Sequence, residues 1–427
     1  MKRIFPIIIA SLLINLSARG QTVLTLDQCL SMARDRSPQL RSIQNSLRSA
    51  SLAYDELQTT ALPQLKLVAN PILAPATTRF GYDPAVTDGG QISAQLSLQQ
   101  SLYDAGIRSL QSSQIDFDRE RLRKETRRTD RDLTFAVTQA FYETYRAQQQ
   151  AALLSQSARQ LRDYLELVTR LSKGGTASYT DVLKTRVQLA NAEIGRQQAQ
   201  DDYAVSKYVL AELIGAAIDT SFSIEASWNN AAADSLLSLS PDESSRNLDL
   251  TIADLTVKRN LLDVTIAERE RLPTLSLAAD VGYLSSGDNL RTLPPDHYRS
   301  IGFSVGLSLE LPLINWGATG LRVQQRQLDV ENLRLDSELL RRSVDSESKR
   351  TRLRMVRLRD RLALMQQNRQ SAEENFLLTK SQYAGGGTLS LEVLAAQQLL
   401  TETSLAELAA RAELQSLIAK LEQLMTR

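Results

Sequence analysis

Two stretches of this chain, Ile107 to Lys173 and Leu321 to Ala384, contain neither proline nor glycine. A proline inside a helix costs about 3 kcal/mol and a glycine about 1 kcal/mol relative to alanine, so their joint absence marks uninterrupted helices. At about 1.5 Å rise per residue each helix would be roughly 100 Å long. Helical patterns much beyond about 25 residues point to coiled-coil or helical-barrel packing rather than to a compact globule. The 11 prolines lie in the N-terminal segment, at helix starts, in strand regions or in the central linker, which supports the helix assignment.

The two stretches belong to a duplication with a period of about 210 residues, far longer than a solenoid repeat. Leu62-Pro63-Gln64-Leu65 recurs as Leu272-Pro273-Thr274-Leu275, Tyr103-Asp104-Ala105-Gly106 as Ile314-Asn315-Trp316-Gly317, and Gly174-Gly175-Thr176 as Gly386-Gly387-Thr388. Glycines just past a helix end are typical of left-handed caps. Each long helix is therefore expected to turn at its glycine cluster into a second helix, about Ser178 to Leu213 and about Leu389 to Met425, making a long antiparallel hairpin. Shorter helices, about Ser37 to Thr60 and about Leu248 to Arg271, precede the Leu-Pro marks.

Between the Leu-Pro mark and the long helix the pattern switches to period two. Ile92, Ala94, Leu96 and Leu98 alternate with Ser93, Gln95, Ser97 and Gln99. In the second half Ile301, Phe303, Val305, Leu307, Leu309 and Leu311 alternate with Ser300, Gly302, Ser304, Gly306, Ser308 and Glu310, and Leu275 to Tyr283 behaves alike. The segment Leu65 to Leu73, interrupted by Pro71, is the weakest. Strands of about ten residues with one apolar face match transmembrane β-strands, and a soluble sheet with one buried face is the plainer alternative for any one of them. Four strands are too few to close a barrel, which takes about eight. Lipid-exposed edges would leave backbone groups unpaired at several kcal/mol each, so the barrel must be completed by other protomers.

The N-terminus reads as a secretory signal over residues 1–20: Lys2 and Arg3, an apolar run from Ile4 to Leu16, then Ala18-Arg19-Gly20, with a retained anchor as the competing reading. The expected organisation continues with a first repeat at 21–215 (strands about 64–74 and 91–100), a connecting, equatorial segment at 216–246, and a second repeat at 247–427 (strands about 274–284 and 300–311). No later segment is apolar enough to cross a bilayer as a helix. Lys plus Arg number 50 against 49 Asp plus Glu, a formal charge of +1 that argues against a nucleic-acid partner. The single cysteine, Cys29, has no disulfide partner and reads as a small buried residue.

At this point the chain resembles the TolC-like outer-membrane efflux proteins, over essentially everything after the signal. The marks are Leu24 to Leu30 leading to Ser37-Pro38-Gln39-Leu40, the Leu-Pro strand entries, and the strand exits at Tyr103 to Gly106 and Asn315-Trp316-Gly317. The glycine tips followed by Thr180-Asp181-Val182-Leu183 and Leu391-Glu392-Val393-Leu394 complete the ordered set. One departure is Gln100-Ser101-Leu102, where the family usually carries proline. The resemblance implies a homotrimer in the outer membrane, with four strands per protomer in one twelve-stranded β-barrel that continues as a periplasmic α-barrel of long helical hairpins. It implies docking of a periplasmic adaptor protein, with an inner-membrane pump of RND or ABC type, at the tips Gly174, Gly175, Thr176, Gly386, Gly387 and Thr388. By motif position, Asp181 and Tyr383 resemble a hydrogen-bonding pair restraining the periplasmic mouth, and Glu392 resembles a carboxylate that rings the pore, where like charges favour cations. Thr388 stands where the family's best-known member has a restraining arginine, and Ala395 where it has a second ring carboxylate. An acid in a first helical turn, favoured by the dipole, is the alternative reading of Asp181.

Arg350, Arg354, Arg357 and Arg361 form a basic stripe, read as a solvated face or contacts to acidic neighbours rather than as an anion track. Phe80, Tyr82, Tyr283, Tyr298 and Phe303 sit where an interfacial aromatic girdle would lie. The one histidine, His297, has no cysteine or second histidine for a metal set, and no nucleophile elbow or phosphate loop occurs, so neither a catalytic site nor a cofactor is expected. The expected function is passive conduction from periplasm to exterior; an exported, non-conducting coiled-coil scaffold or adhesin is the rival.

Overall fold

The computed structural model describes residues 23–72, 91–215, 222–228, 231–238, 247–286 and 298–425. The signal at 1–20, Phe80, Tyr82 and His297 lie outside them, as does about half of the connecting segment. The chain divides into two units.

One unit comprises residues 38–131, 241–348 and 424–427. It holds α2 (Pro38–Thr59), β2 (Gln64–Ile72), β3 (Gln91–Tyr103), α6 (Leu248–Arg269), β5 (Thr274–Ser286) and β6 (Tyr298–Glu310). It also holds the first portions of the 67-residue helices α3 (Ile107–Lys173) and α7 (Ala318–Ala384). The strands form one antiparallel sheet in the order β2-β3-β5-β6. The register aligns the apolar positions in rows: Leu67, Leu96, Val281 and Phe303 lie side by side, as do Leu65, Leu98, Ala279 and Val305. The opposite face presents rows such as Lys66, Ser97, Asp280 and Ser304. Phe303 and Ile301 are 83 % and 79 % exposed, so within one chain this apolar face is uncovered. The outer edges of β2 and β6 have no strand partner among the described residues.

The strand-to-helix corner explains one duplicated mark. Ala105 and Gly106 take φ values of 56° and 73°, and Trp316 and Gly317 take 52° and 81°, so two successive left-handed residues turn each strand into its helix. Asp104 then caps α3: Oδ1 accepts from the Gly106 amide and Oδ2 from the Arg108 amide, each at 3.0 Å. A Cβ at Gly106 would be strained at this φ and would lie 2.5 Å from the end of the Arg269 side chain, displacing a guanidinium that donates to the Ala105 carbonyl at 3.1 Å. Just before the corner, a register irregularity between Ser101 and Tyr103 carries β3 three residues past its expected end at 100.

The other unit comprises residues 1–37, 132–240 and 349–423. It contains β1 (Val23–Leu24), α1 (Leu26–Arg36), α4 (Tyr179–Leu213), β4 (Ser223–Ile224), α5 (Ala231–Ser238), α8 (Ser390–Met425) and the remainders of α3 and α7. β1 pairs in parallel with β4, an element inside the connecting segment that the sequence pattern did not show. Side-chain contacts fix the helix order. Between α3 and α4 these are Thr144 with Ser206 (3.1 Å) and Tyr203 with Gln148 (3.4 Å). Between α3 and α8 they are Ser157 with Thr401 (3.2 Å) and Gln423 with Asp132 (2.8 Å). Between α8 and α7, the buried Glu407 carboxylate receives Arg369 at 2.8 Å, and Arg411 of its own helix at 2.5 Å. The pair α3 and α8 is thus central, with α4 and α7 at the two flanks.

Candidate functional site: the helix tips

The hairpin tips are built by the same device twice. In the first, the amides of Gly174 and Gly175 bond back to Arg170 and Ser172 at 3.1 Å, and Thr176 bonds to Leu171 at 3.0 Å through both its amide and its hydroxyl. In the second, Gly386 bonds to Tyr383 at 3.1 Å and Gly387 to Gln382 at 2.8 Å. Gly175 and Gly386 have φ of 78° and 77°, the left-handed conformation such caps need. The Ser178 hydroxyl then accepts from the Thr180 amide at 3.2 Å and starts α4. The tip residues Gly174, Gly175, Thr176, Gly386 and Gly387 are exposed, and Thr388 is half-buried.

Behind the tips the helix ends share one core of Leu161, Tyr164, Val168, Val182, Phe376, Tyr383, Val393, Leu394 and Ala396. The Tyr164 and Tyr383 rings meet at 5.5 Å with a 60° tilt. The Tyr164 hydroxyl donates to Ser390 Oγ at 3.0 Å, joining the long helix of the first repeat to the start of α8. Tyr164 and Ser390 escaped the sequence reading, because a tyrosine in an amphipathic helix carries no mark of a partner 226 residues away. Burial raises the pKa of the Tyr164 phenol, and it raises that of Tyr383 with a further push from the Asp181 carboxylate. Both phenols are therefore neutral donors at physiological pH.

The structure brings Asp181 and Tyr383 to the same core but makes no hydrogen bond between them. The Tyr383 oxygen is buried and, although Ser390 and Tyr164 adjoin it, has no hydrogen bond of good geometry. Asp181 is half-buried in the first turn of α4, three residues after the Ser178 cap, where the helix dipole favours a negative charge. Glu392 is exposed in the first turn of α8, without a side-chain partner among the described residues. A groove beside these residues is lined by Leu183, Lys184 and Val187 of α4 and by Leu391, Leu394 and Ala395 of α8. No described helix is long and apolar enough to cross a membrane, and no group of metal-ligating side chains occurs among the described residues.

An internally duplicated chain, with a four-stranded sheet whose apolar face is bare and long hairpins capped at glycine tips, has the features of a channel that crosses a membrane on strands. The family model described as "Outer membrane efflux protein" matches residues 29–216 and again 239–427, and the chain belongs to that family. It is 24 % identical over 363 residues to outer membrane protein TolC of Vibrio cholerae, covering 81 % of this chain and 77 % of that one. With the proteases secretion protein PrtF of Dickeya chrysanthemi the identity is 25 % over 339 residues, 75 % and 68 % of the two chains. The crystal structure of the outer membrane protein VceC from Vibrio cholerae superposes with a TM-score of 0.77 at 18 % identity, covering 94 % of this chain and 95 % of that one. This protein is accordingly a TolC-like outer-membrane efflux channel that reaches into the periplasm, a transport protein and not an enzyme.

Proposed function

We propose that three copies of the chain assemble into one conduit, each adding its four strands to a common barrel in the lipid bilayer. The duct conducts solutes passively when a periplasmic adaptor and an inner-membrane pump of RND or ABC type engage the tips at Gly174 to Thr176 and Gly386 to Thr388. The observation that carries this reading is the sheet itself. Its apolar rows are bare and, among the described residues, both its edges are open, an arrangement stable in lipid only when edges are shared between chains. A homotrimer of equal copies satisfies that need with closed symmetry. Support for secretion of polypeptide cargo comes from the likeness to PrtF.

At the mouth, Asp181 and Tyr383 act as restraints, and Glu392 contributes a ring of three carboxylates. The buried Tyr383 hydroxyl without a hydrogen bond and the neighbouring Asp181 charge are poised to pair on a small shift of the tips. Purified protein in a planar bilayer tests both levels. Discrete conductance steps are expected of the parent channel, and their absence across preparations would remove conduction. Asp181→Asn and Tyr383→Phe are each expected to raise single-channel conductance; unchanged conductance in both would remove the restraint while leaving the pore.

A further inference from the structure

The flanking helices α4 and α7 carry unspent faces that match. On α7, Leu353, Arg354, Arg357, Arg361 and Leu364 are exposed. Arg354 and Arg357 have no hydrogen-bond or ion-pair partner among the described residues, and Arg361 reaches Glu413 only at 4.0 Å. Three arginines and one glutamate thus line a shallow pocket, a net positive notch between two leucines. On α4, Ile194, Asp201 and Val205 are exposed at seven- and four-residue steps, which keeps them on one helix face. Asp201 likewise has no partner among the described residues. One flank therefore reads apolar, basic, apolar and the other apolar, acidic, apolar, and α3 and α8 stand between them.

The duplication sets the level at which these faces would meet. α3 and α7 begin and end 211 residues apart, Ile107 against Ala318 and Lys173 against Ala384. In a ring of repeats, the contact of α3 with α8 inside one copy corresponds to the contact of α7 with α4 of the next. Two contacts bracket the region, Ser157 with Thr401 and Asp132 with Gln423. Carried over by 211 residues, they bring Arg354 and Arg357 of one copy within about one helical turn of Asp201 in its neighbour. The same shift brings Leu353 to the neighbour's Val205 and Leu364 to its Ile194.

We propose that this surface is the joint between copies of the chain: Arg354 and Arg357 straddle Asp201 of the adjacent protomer, and leucine-to-aliphatic contacts above and below shield the ion pair from water. The joint rests on the trimer reading and adds its residues. Shielding matters because an exposed pair contributes little, whereas a desolvated, complementary one fixes register and partner.

The test uses the full chain in detergent, with the mass of the parent measured first by light scattering. In a Cys29→Ser background, Arg354→Cys combined with Asp201→Cys is expected to give disulfide-linked dimer and trimer on a non-reducing gel, and neither single variant should. In parallel, Arg354→Asp with Arg357→Asp should lower the trimer-to-monomer ratio about tenfold with helix content unchanged, and adding Asp201→Arg should restore it. A trimeric parent with no crosslink and no rescue overturns the joint and gives this face to another partner. A monomeric parent overturns the trimer reading itself.

Discussion

The long helices α3 and α7 have equal length and equivalent places in the two repeats, yet they spend their side chains differently. Among the described residues, none of α3's large apolar side chains is exposed, and Val137, Phe141, Tyr164 and Val168 are almost fully buried. α7 buries Met355, Leu358, Leu362 and Phe376 on one stripe but leaves Leu353, Leu364, Leu377 and Leu378 in the open. The cause is position: α3 has α4 on one side and α8 on the other, whereas α7 lies at the flank, joined to α8 through Arg369 and Glu407 and to α5 through Arg359 and Asp234. A duplicated unit has thus diverged into one helix that completes a protomer and one that keeps a second apolar stripe for something beyond it. Water tolerates a few scattered leucines, but a repeating row of them marks a contact surface.

That contrast can be broken most strongly on α3. Phe141→Ala removes a ring that is 1 % exposed and packs edge-on against Tyr142 at 5.6 Å, and it should cost about 3 to 5 kcal/mol. Denaturant unfolding of the refolded protomer is expected to show this as a lower midpoint at constant slope; a loss below 1 kcal/mol would mean that the α3 face is not the protomer core. On α7 the same kind of truncation should spare the protomer and hurt the assembly. Leu364→Asn is expected to leave helix content and protomer unfolding unchanged while destabilising the oligomer by about 2 kcal/mol per joint. The measurement is the temperature at which the trimer dissociates on a gel. If that temperature is unchanged, the leucine row has no role between copies.

Much of this division is legible in the amino-acid sequence. The absence of proline and glycine over 107–173 and 321–384 marks the long helices, because the two residues that break helices are the two that are missing, although α7 begins three residues earlier, at Ala318, and takes in Gly320. The strands were legible because one face of each is greasy and the other polar, so alternation survives in the letters. The tips were legible through Gly175 and Gly386, whose left-handed backbones only glycine adopts without strain. What stayed hidden depends on contacts between distant parts of the chain. The order α4, α3, α8, α7 arises from pairs such as Ser157 with Thr401, 244 residues apart, which no local period encodes. The arginine stripe and its solvated face were visible in the letters, but the lack of partners at Arg354 and Arg357 among the described residues was not. The two-residue β1 and β4 pair is too short to show alternation at all.

The smallest expected effect separates two tyrosines that look alike from sequence and nearly touch in space. Both rings are buried and contribute packing, so removing only the oxygen isolates the hydroxyl. Tyr164 donates to Ser390 across 3.0 Å, and its loss in Tyr164→Phe should cost about 1 kcal/mol. Tyr383 buries its oxygen without a hydrogen bond in the protomer, so Tyr383→Phe removes a desolvation penalty and should leave protomer stability unchanged or raise it by up to about 1 kcal/mol. Parallel denaturant unfolding of the two variants as isolated protomers gives the comparison. A larger loss for Tyr383 than for Tyr164 would show that its hydroxyl is already bonded inside one chain, and the restraint at the mouth would then be closed before any partner arrives.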